Sequence, residues 1–420
     1  AAPAVPMLRW LLAALAVTAR ASNSLSWLCD ALDATTGDCL VNTSRCISQF
    51  GMPDGGCGGD CVDRPPFMPG FLRSCTFASG GALRFAANVS LRCDFAEQIG
   101  SSACALTLAF GRGVVLEEGA VVSAGSVRLE SAGAAVLVAR GAAVTSTGLG
   151  RCSAVLDPLY WTKGEAGAGA GHGGAGGKCD SPSAVGGGTF GDGTRPWQKI
   201  ATPGVPWWPD VTTDLTLYGA YSFGDETQGP ICCGGGLVSV KASSLHVDGA
   251  ISADAQPACR RCHGVLHHSD RPCCPLALDS CSGVGGASGG TVLIDAAVMN
   301  GSGLISARGG DADPETERGG GGGGGRVWLR GCEKSADAPG APQRMRVDAG
   351  GGAAARGGRV PSCQDGGAGS IFYEECDGRP HMLWFNNGQR AASGAHSTIA
   401  AGAPFTAAGA PFTAAGAPFT

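Results

Sequence analysis

The sequence predicts an all-β protein: a right-handed parallel β-helix (solenoid) with Gly-rich loop insertions, a small Cys-rich N-terminal cap and a disordered C-terminal repeat tail. Three observations predict it. Short apolar runs alternate residue by residue and are separated by small residues, which reads as strand, turn, strand. A unit recurs: a glycine block, an apolar strand, a second strand, then small residues and glycine. The chain holds 72 Gly and 24 Pro with only 6% aromatic residues, which suits flat layers of small side chains. No glycine falls strictly at every third position, so collagen is excluded.

Four segments follow in order. Residues 1–21 hold an upstream leader and a signal peptide. AAPAVP precedes Met7. Arg9, the apolar run 11–17 and Ala19-Arg20-Ala21 then give the charged, apolar and small-x-small parts of a secretory signal. Residues 22–74 form the cap, with Cys29, Cys39, Cys46, Cys57 and Cys61 close together, as in a disulfide-stapled module. Residues 75–390 form the β-helix body. Its clearest early strands are Val114-Val115-Leu116, Val121-Val122, Val127-Arg128-Leu129 and Val136-Leu137-Val138. Later copies of the unit are GGGLVSVKASSLHVDGAISADA, SGGTVLIDAAVMNGSGLISARGG and GGGRVWLRG with QRMRVDAGGG. A degraded copy is GGAGSIFYEE with HMLWFNNG. A repeated unit of about 20 residues is a solenoid signature, and insertions then leave as loops. Tight turns need positive φ or close backbone approach, and glycine supplies both. The run 319–325 exceeds that need and fits either a flexible loop or a tightly packed glycine layer. Residues 391–420 are a tail in which AAGAPFT occurs three times. A proline and a glycine in each unit forbid a continuous helix there.

Twenty cysteines in a secreted chain point to disulfides. Cys232 with Cys233, and Cys273 with Cys274, form matching pairs. In CRRCHGVLHHSDRPCC, Cys259, Cys262, Cys273 and Cys274 stand with His263, His267 and His268. Those ligand types suit zinc, but an oxidising compartment favours disulfides. No cofactor and no metal is assigned. Asn42, Asn88 and Asn300 open N-x-S/T sequons, candidates for glycosylation of which one or two are expected to be used. Trp197, Trp207, Trp208 and Tyr218 fall in one insertion. They offer a surface for stacking on sugar rings, or a local mini-core. Net charge is −5 with 15% charged residues, which argues against nucleic acid as partner. No run is apolar for long enough to span a bilayer. The expected partner is a cell-wall or matrix polysaccharide or a surface protein.

ANVSLRC, VVLEEGAVVSAGSVRLESAGAAVLVARGAAVTSTGLG, GAGHGGAGG, GGASGGTVLIDA, GSGLISARGG and GGGGGGGRVWL carry a resemblance across roughly residues 75–385. In this order they resemble the functionally unassigned, large glycine-rich cell-surface proteins of land plants, algae and some protists. Those in turn resemble pectin-lyase-like β-helices. The resemblance implies an extracellular or cell-surface location. It also raises polysaccharide cleavage, which needs paired carboxylates. Of the hydrolase motifs implied, only Gly171-His172-Gly173 is present; Asn-Thr-Asp, Asp-Asp and Arg-Ile-Lys are missing. Asp311, Asp313, Glu315 and Glu317 alternate as a loop that could wrap Ca²⁺, interrupted by Pro314. The expectation is a non-enzymatic, secreted or cell-surface structural and binding glycoprotein. The alternative is a polysaccharide lyase or glycoside hydrolase.

Overall fold

The computed structural model describes residues 25–47, 74–93, 105–150, 169–177, 222–223, 230–256, 285–312, 319–331, 333–334, 345–354, 363–375 and 380–386. The leader and the AAGAPFT tail lie outside them. One helical turn, residues 25–28, precedes β1 (Ala31–Leu32), β2 (Cys39–Val41) and β3 (Arg45–Ile47). Two repeats of three strands follow. They are β4 (Ser74–Ser79), β5 (Leu83–Phe85) and β6 (Ser90–Cys93), then β7 (Ala105–Phe110), β8 (Val114–Leu116) and β9 (Val121–Ser123). In the next repeat the first two strands fuse into β10 (Ser126–Val138), followed by β11 (Ala143–Thr145). Its register shifts between Ser131 and Ala135, a bulge where the residues are small. A separate antiparallel pair is β12 (Ser222–Phe223) with β13 (Pro230–Cys232). The remaining strands are β14 (Leu237–Val247), β15 (Ala250–Ser252), β16 (Thr291–Asn300), β17 (Leu304–Ser306), β18 (Arg326–Gly331), β19 (Glu333–Lys334), β20 (Arg346–Asp348), β21 (Gly369–Glu375) and β22 (Pro380–Asn386).

The fold is all-β and its main sheets are parallel. The larger sheet runs β2-β5-β8-β10-β14-β16-β18-β21, with β4 and β7 continuing the first half of β10. The smaller runs β3-β6-β9-β11-β15-β17-β20. In each repeat the chain thus passes from the larger sheet to the smaller. The strands of the cap segment, β2 and β3, pair with β5 and β6, so they share both sheets and the core with the body. The stretches 366–375 and 381–388 read from sequence as a degraded repeat; the strands found there, β21 and β22, instead pair as an antiparallel hairpin within the larger sheet. A connection that short folds a strand back beside itself rather than carrying it to a second sheet.

Period-2 alternation puts the apolar residues inside, and in-register pairing stacks them in columns. One column is Cys75, Leu106, Val127, Val238, Val292, Val327 and Ile371, every member buried. The smaller sheet supplies Leu91, Val122, Val144, Ile251 and Ile305, each fully buried. Because each layer meets a similar layer above and below, β-branched and leucine side chains fill most of the interior, with Phe77, Phe85 and Phe110 buried among them in the first repeats.

Glycine forms the third side of the molecule. Residues 234–236, 253–256, 285–290, 307–312, 319–325, 349–354 and 363–369 enter or leave the sheets as extended rods. Residues 169–177 fold back on themselves, with Gly169 N donating to Gly177 O. Rod 319–325 sits among the others. Its N–H groups at Gly321, Gly322, Gly323, Gly324 and Gly325 donate to Gln364, Gly310, Ala170, Gly367 and Ala307. Its carbonyls at Gly320 to Gly324 accept from Gly286, Gly177, Gly352, Gly289 and Gly174 in turn. The partner rod recurs every third residue. That is the period of polyproline II, which has three residues per turn and no internal hydrogen bonds. Each backbone group therefore points at a different neighbour, and all are satisfied between rods. Rods this close leave no room for a Cβ. One built on Gly322 would lie 1.8 Å from Ala287 O, and one on Gly324 2.0 Å from Ala349 O. The run 319–325 is thus a packed glycine layer, and close approach rather than positive φ explains it.

Gly322→Ala must push a backbone carbonyl aside, and overpacking that no side chain can relieve costs upward of about 3 kcal/mol. Gly133, whose Cβ would meet nothing within 4 Å, is the control. Thermal melts are expected to show a large drop for Gly322→Ala and no loss for Gly133→Ala.

Candidate functional site: charged rows across the parallel sheets

The pairing that stacks the core also lines up the outward residues. Glu130, Lys241, Asp295, Arg330 and Glu374 occupy one row across β10, β14, β16, β18 and β21. Their signs alternate along the whole row. Neighbouring strands lie about 4.8 Å apart, so Lys241, Asp295 and Arg330 each face two charges of opposite sign and the end residues Glu130 and Glu374 one, and such pairs each contribute roughly 0.2–1 kcal/mol. The strongest link is a two-pronged one. Arg330 Nε donates to Asp295 Oδ1 at 2.8 Å and its Nη2 to Oδ2 at 2.5 Å. Glu374 is buried at the end of the row. Burial raises its pKa, against the opposing pull of Arg330 and a hydrogen bond from Trp328. Glu130 is held by Arg128 on its own strand, Nε to Oε1 at 2.6 Å.

A second polar cluster lies where β15, β17 and β20 run into the glycine rods. Ser306 Oγ donates to Asp254 Oδ2 at 2.9 Å and Arg308 N to Asp254 Oδ1 at 2.6 Å. Asp348 accepts from Arg346 at 3.1 Å and from Gly350 N at 2.9 Å, and Arg308 lies 3.7 Å from it. Burial pushes the Asp254 carboxyl up. The two hydrogen bonds and Arg308 oppose this, while Asp348 adds to it.

The third cluster is at the corner between the sheets. His246 Nδ1 donates to Asn300 Oδ1 at 2.5 Å, and Nε2 donates to Asp248 Oδ2 at 2.8 Å. With both ring nitrogens facing acceptors, the ring is drawn toward the imidazolium. The hydrogen bond to Asp248 raises the His246 pKa above its ordinary value. The same bond, with two from Ser302, lowers Asp248 to about 2.

The residues singled out from sequence fall as follows. Cys29 and Cys39 are disulfide-bonded to each other. Cys46, Cys75, Cys233 and Cys363 are each in a disulfide as well; of these, Cys75 and Cys363 were not among the candidates. The side chain of Cys232, and Cys57, Cys61, Cys259, Cys262, Cys273 and Cys274, lie outside the described residues. So do Trp197, Trp207, Trp208, Tyr218, Asp313, Glu315 and Glu317. His172 is fully buried in the turn of the 169–177 hairpin, with Nε2 3.1 Å from Thr291 Oγ1. It pins that hairpin to β16 and faces no open surface. Asp311 accepts from Ala353 N at 2.6 Å and so links two rods. Asn42, Asn88 and Asn300 are all exposed. Among the described residues no three His, Cys, Asp or Glu are grouped to hold a metal, and no helix is long and apolar enough to cross a membrane.

The alternating row was missed from sequence, though a signal exists. VRLE, VSVK, VLID, VWLR and IFYE each place a charge directly after an apolar-x-apolar triplet. Only alignment of the repeats in register shows that the signs alternate. No protein-family model, curated protein sequence or solved structure matches the chain.

Two outcomes are expected. Arg330→Met leaves buried Glu374 without its cation and Asp295 without its two-pronged partner and should cost about 2–4 kcal/mol, whereas Lys241→Met, at an exposed position, should cost under about 1 kcal/mol; denaturant midpoints compare them. The His246–Asp248 pair sets a pH window. A raised histidine pKa stabilises below about 6.5 and is lost as pH rises through the folded value. A lowered aspartate pKa stabilises above about 3.8 and is lost as pH falls through about 2. Melting temperature should therefore fall between pH 6 and 8, and His246→Gln should flatten that fall.

Proposed function

We propose that the chain is a secreted or cell-surface structural and binding protein of a wall or matrix, built on a right-handed parallel β-helix and without a catalytic centre. It would bind polysaccharide or a surface protein through its inserted loops. One observation carries this reading: on the outer row, carboxylates alternate with cations. A glycosidase or lyase needs carboxylates held together and left available, one as an acid and one as a base. Here Asp295 is gripped by Arg330 and Glu130 by Arg128. Such a row makes a rigid, evenly charged surface that suits a scaffold. The stacked repeats and disulfides support persistence outside the cell.

One observation favours cleavage instead. Asp254 has a raised pKa and a second carboxylate, Asp348, nearby, with Arg308 between them. Both acids are held by backbone N–H groups, and Asp348 is buried, which counts against their meeting a polymer.

Purified protein would be incubated with pectin, polygalacturonate and alginate, with and without Ca²⁺. Polymer retention, new reducing ends and unsaturated uronate absorbance would be read together. Retention without either product is the expected result. Depolymerisation abolished by Asp254→Asn would replace this reading with the hydrolase or lyase one.

A further inference from the structure

We propose that Asn42, Asn88 and Asn300 carry N-linked glycans that form a single ridge along the corner where each repeat passes from the larger sheet to the smaller. The inference rests on the proposed secretion and adds where the sugar sits. Asn42 lies between β2 and β3, Asn88 between β5 and β6, and Asn300 ends β16 just before β17. Sites 46 and 212 residues apart in sequence thus lie at the same edge of different repeats, Asn42 and Asn88 in the corner and Asn300, in register with Arg84, on the last strand residue before it. β2 and β5 are neighbours, so the first two sites are adjacent. β5 reaches β16 through β8, β10 and β14, which places the third about 19 Å further along, four steps of about 4.8 Å.

The side chains suit the modification. All three asparagines are exposed. Asn300 receives the hydrogen bond from His246 on its oxygen, which leaves Nδ2 to hold the sugar. Among the described residues, no side-chain nitrogen of the three makes a hydrogen bond. Asn88 also has a backbone reason to be there. With φ +61° it is the third residue of a turn closed by Val89 N to Ala86 O. Gly119 and Gly141 hold the same place in the next two repeats with φ +73° and +74°. A type II turn needs positive φ there, and asparagine is the side chain that best tolerates it. Turn geometry explains an asparagine at 88 but not the serine two residues on, nor the sequons at 42 and 300, which stand outside this turn column.

In the transfer, Asn Nδ2 bonds to the anomeric carbon of an oligosaccharide as that carbon's bond to a lipid pyrophosphate breaks. The Nδ2 proton is lost and the lipid pyrophosphate leaves. The acceptor is the unfolded chain, and the fold must then keep each glycan in solvent. The corner does so on the exposed edge of the sheets, and in the later repeats at the far end from the glycine rods, where no added bulk fits.

The full chain would be made in a secretory eukaryotic cell in two forms, one behind the host's signal peptide and one with its own leader from Met7. Protein purified from cells and medium would be released with peptide N-glycosidase F in heavy-oxygen water, which marks each formerly glycosylated asparagine as labelled aspartate. The expected result is label at Asn42, Asn88 and Asn300 and none at Asn23, Asn386 or Asn387, which lie in no sequon. Each of Asn42→Gln, Asn88→Gln and Asn300→Gln should remove one step of gel mobility. An unlabelled site among the three, in the form carried by the host signal, overturns the ridge. Failure of only the own-leader form to enter the secretory route overturns the secretion reading and leaves the ridge standing.

Discussion

The structure depends on backbone hydrogen bonding between glycine-rich rods at a spacing that excludes a Cβ at their packed glycines. Rod 319–325 bonds to its neighbours in directions that rotate by a third of a turn per residue. A β-strand can bond only within its own sheet plane, on two sides. A polyproline-II-like rod bonds all round, so a bundle of them satisfies its backbone in every direction without side chains. This offsets the large entropy that glycine loses on ordering. It also anchors the insertions. A chain segment that leaves a repeat as a loop must return through the rods and is gripped at its base. Rods 307–312 and 319–325 flank one such insertion and are themselves joined by Gly322 N to Gly310 O.

Register follows from the rods and the columns together. A slip of one residue would turn Val127, Val238, Val292, Val327 and Ile371 outward and bring the charged row inward. The alternating charges oppose the same slip between repeats, since moving one strand by one residue would take each charge away from the opposite charge beside it. Polar and apolar patterns therefore specify one pairing. The hairpin of β21 and β22 then gives the parallel sheet an antiparallel last strand, as β1 does at the other end.

The clusters at the rod end and at the corner differ in burial, and so in chemistry. Asp254 is pushed toward the neutral acid by desolvation, while Asp248, half-buried and beside an imidazole, is held as the anion. Both lie in the same repeat, just after successive strands β14 and β15. The two sides of one repeat thus give one residue type opposite tendencies, set by what the neighbouring repeats place over it.

The sequence by itself determined that the protein is all-β, because period-2 alternation and short glycine spacers allow little else. It also located β8, β9 and the halves of β10 almost to the residue. It held the apolar columns and the charges too, but not their juxtaposition. Glu130 and Glu374 lie 244 positions apart, and only pairing in register through β14, β16 and β18 makes them ends of one row. His172 looked like a fragment of a catalytic motif until packing buried it beneath β16. The run 319–325 was ambiguous because glycine is equally compatible with a loose loop and a tight bundle. Tertiary structure decided it: five neighbouring segments supply the hydrogen bonds, and no local pattern can say whether such neighbours exist.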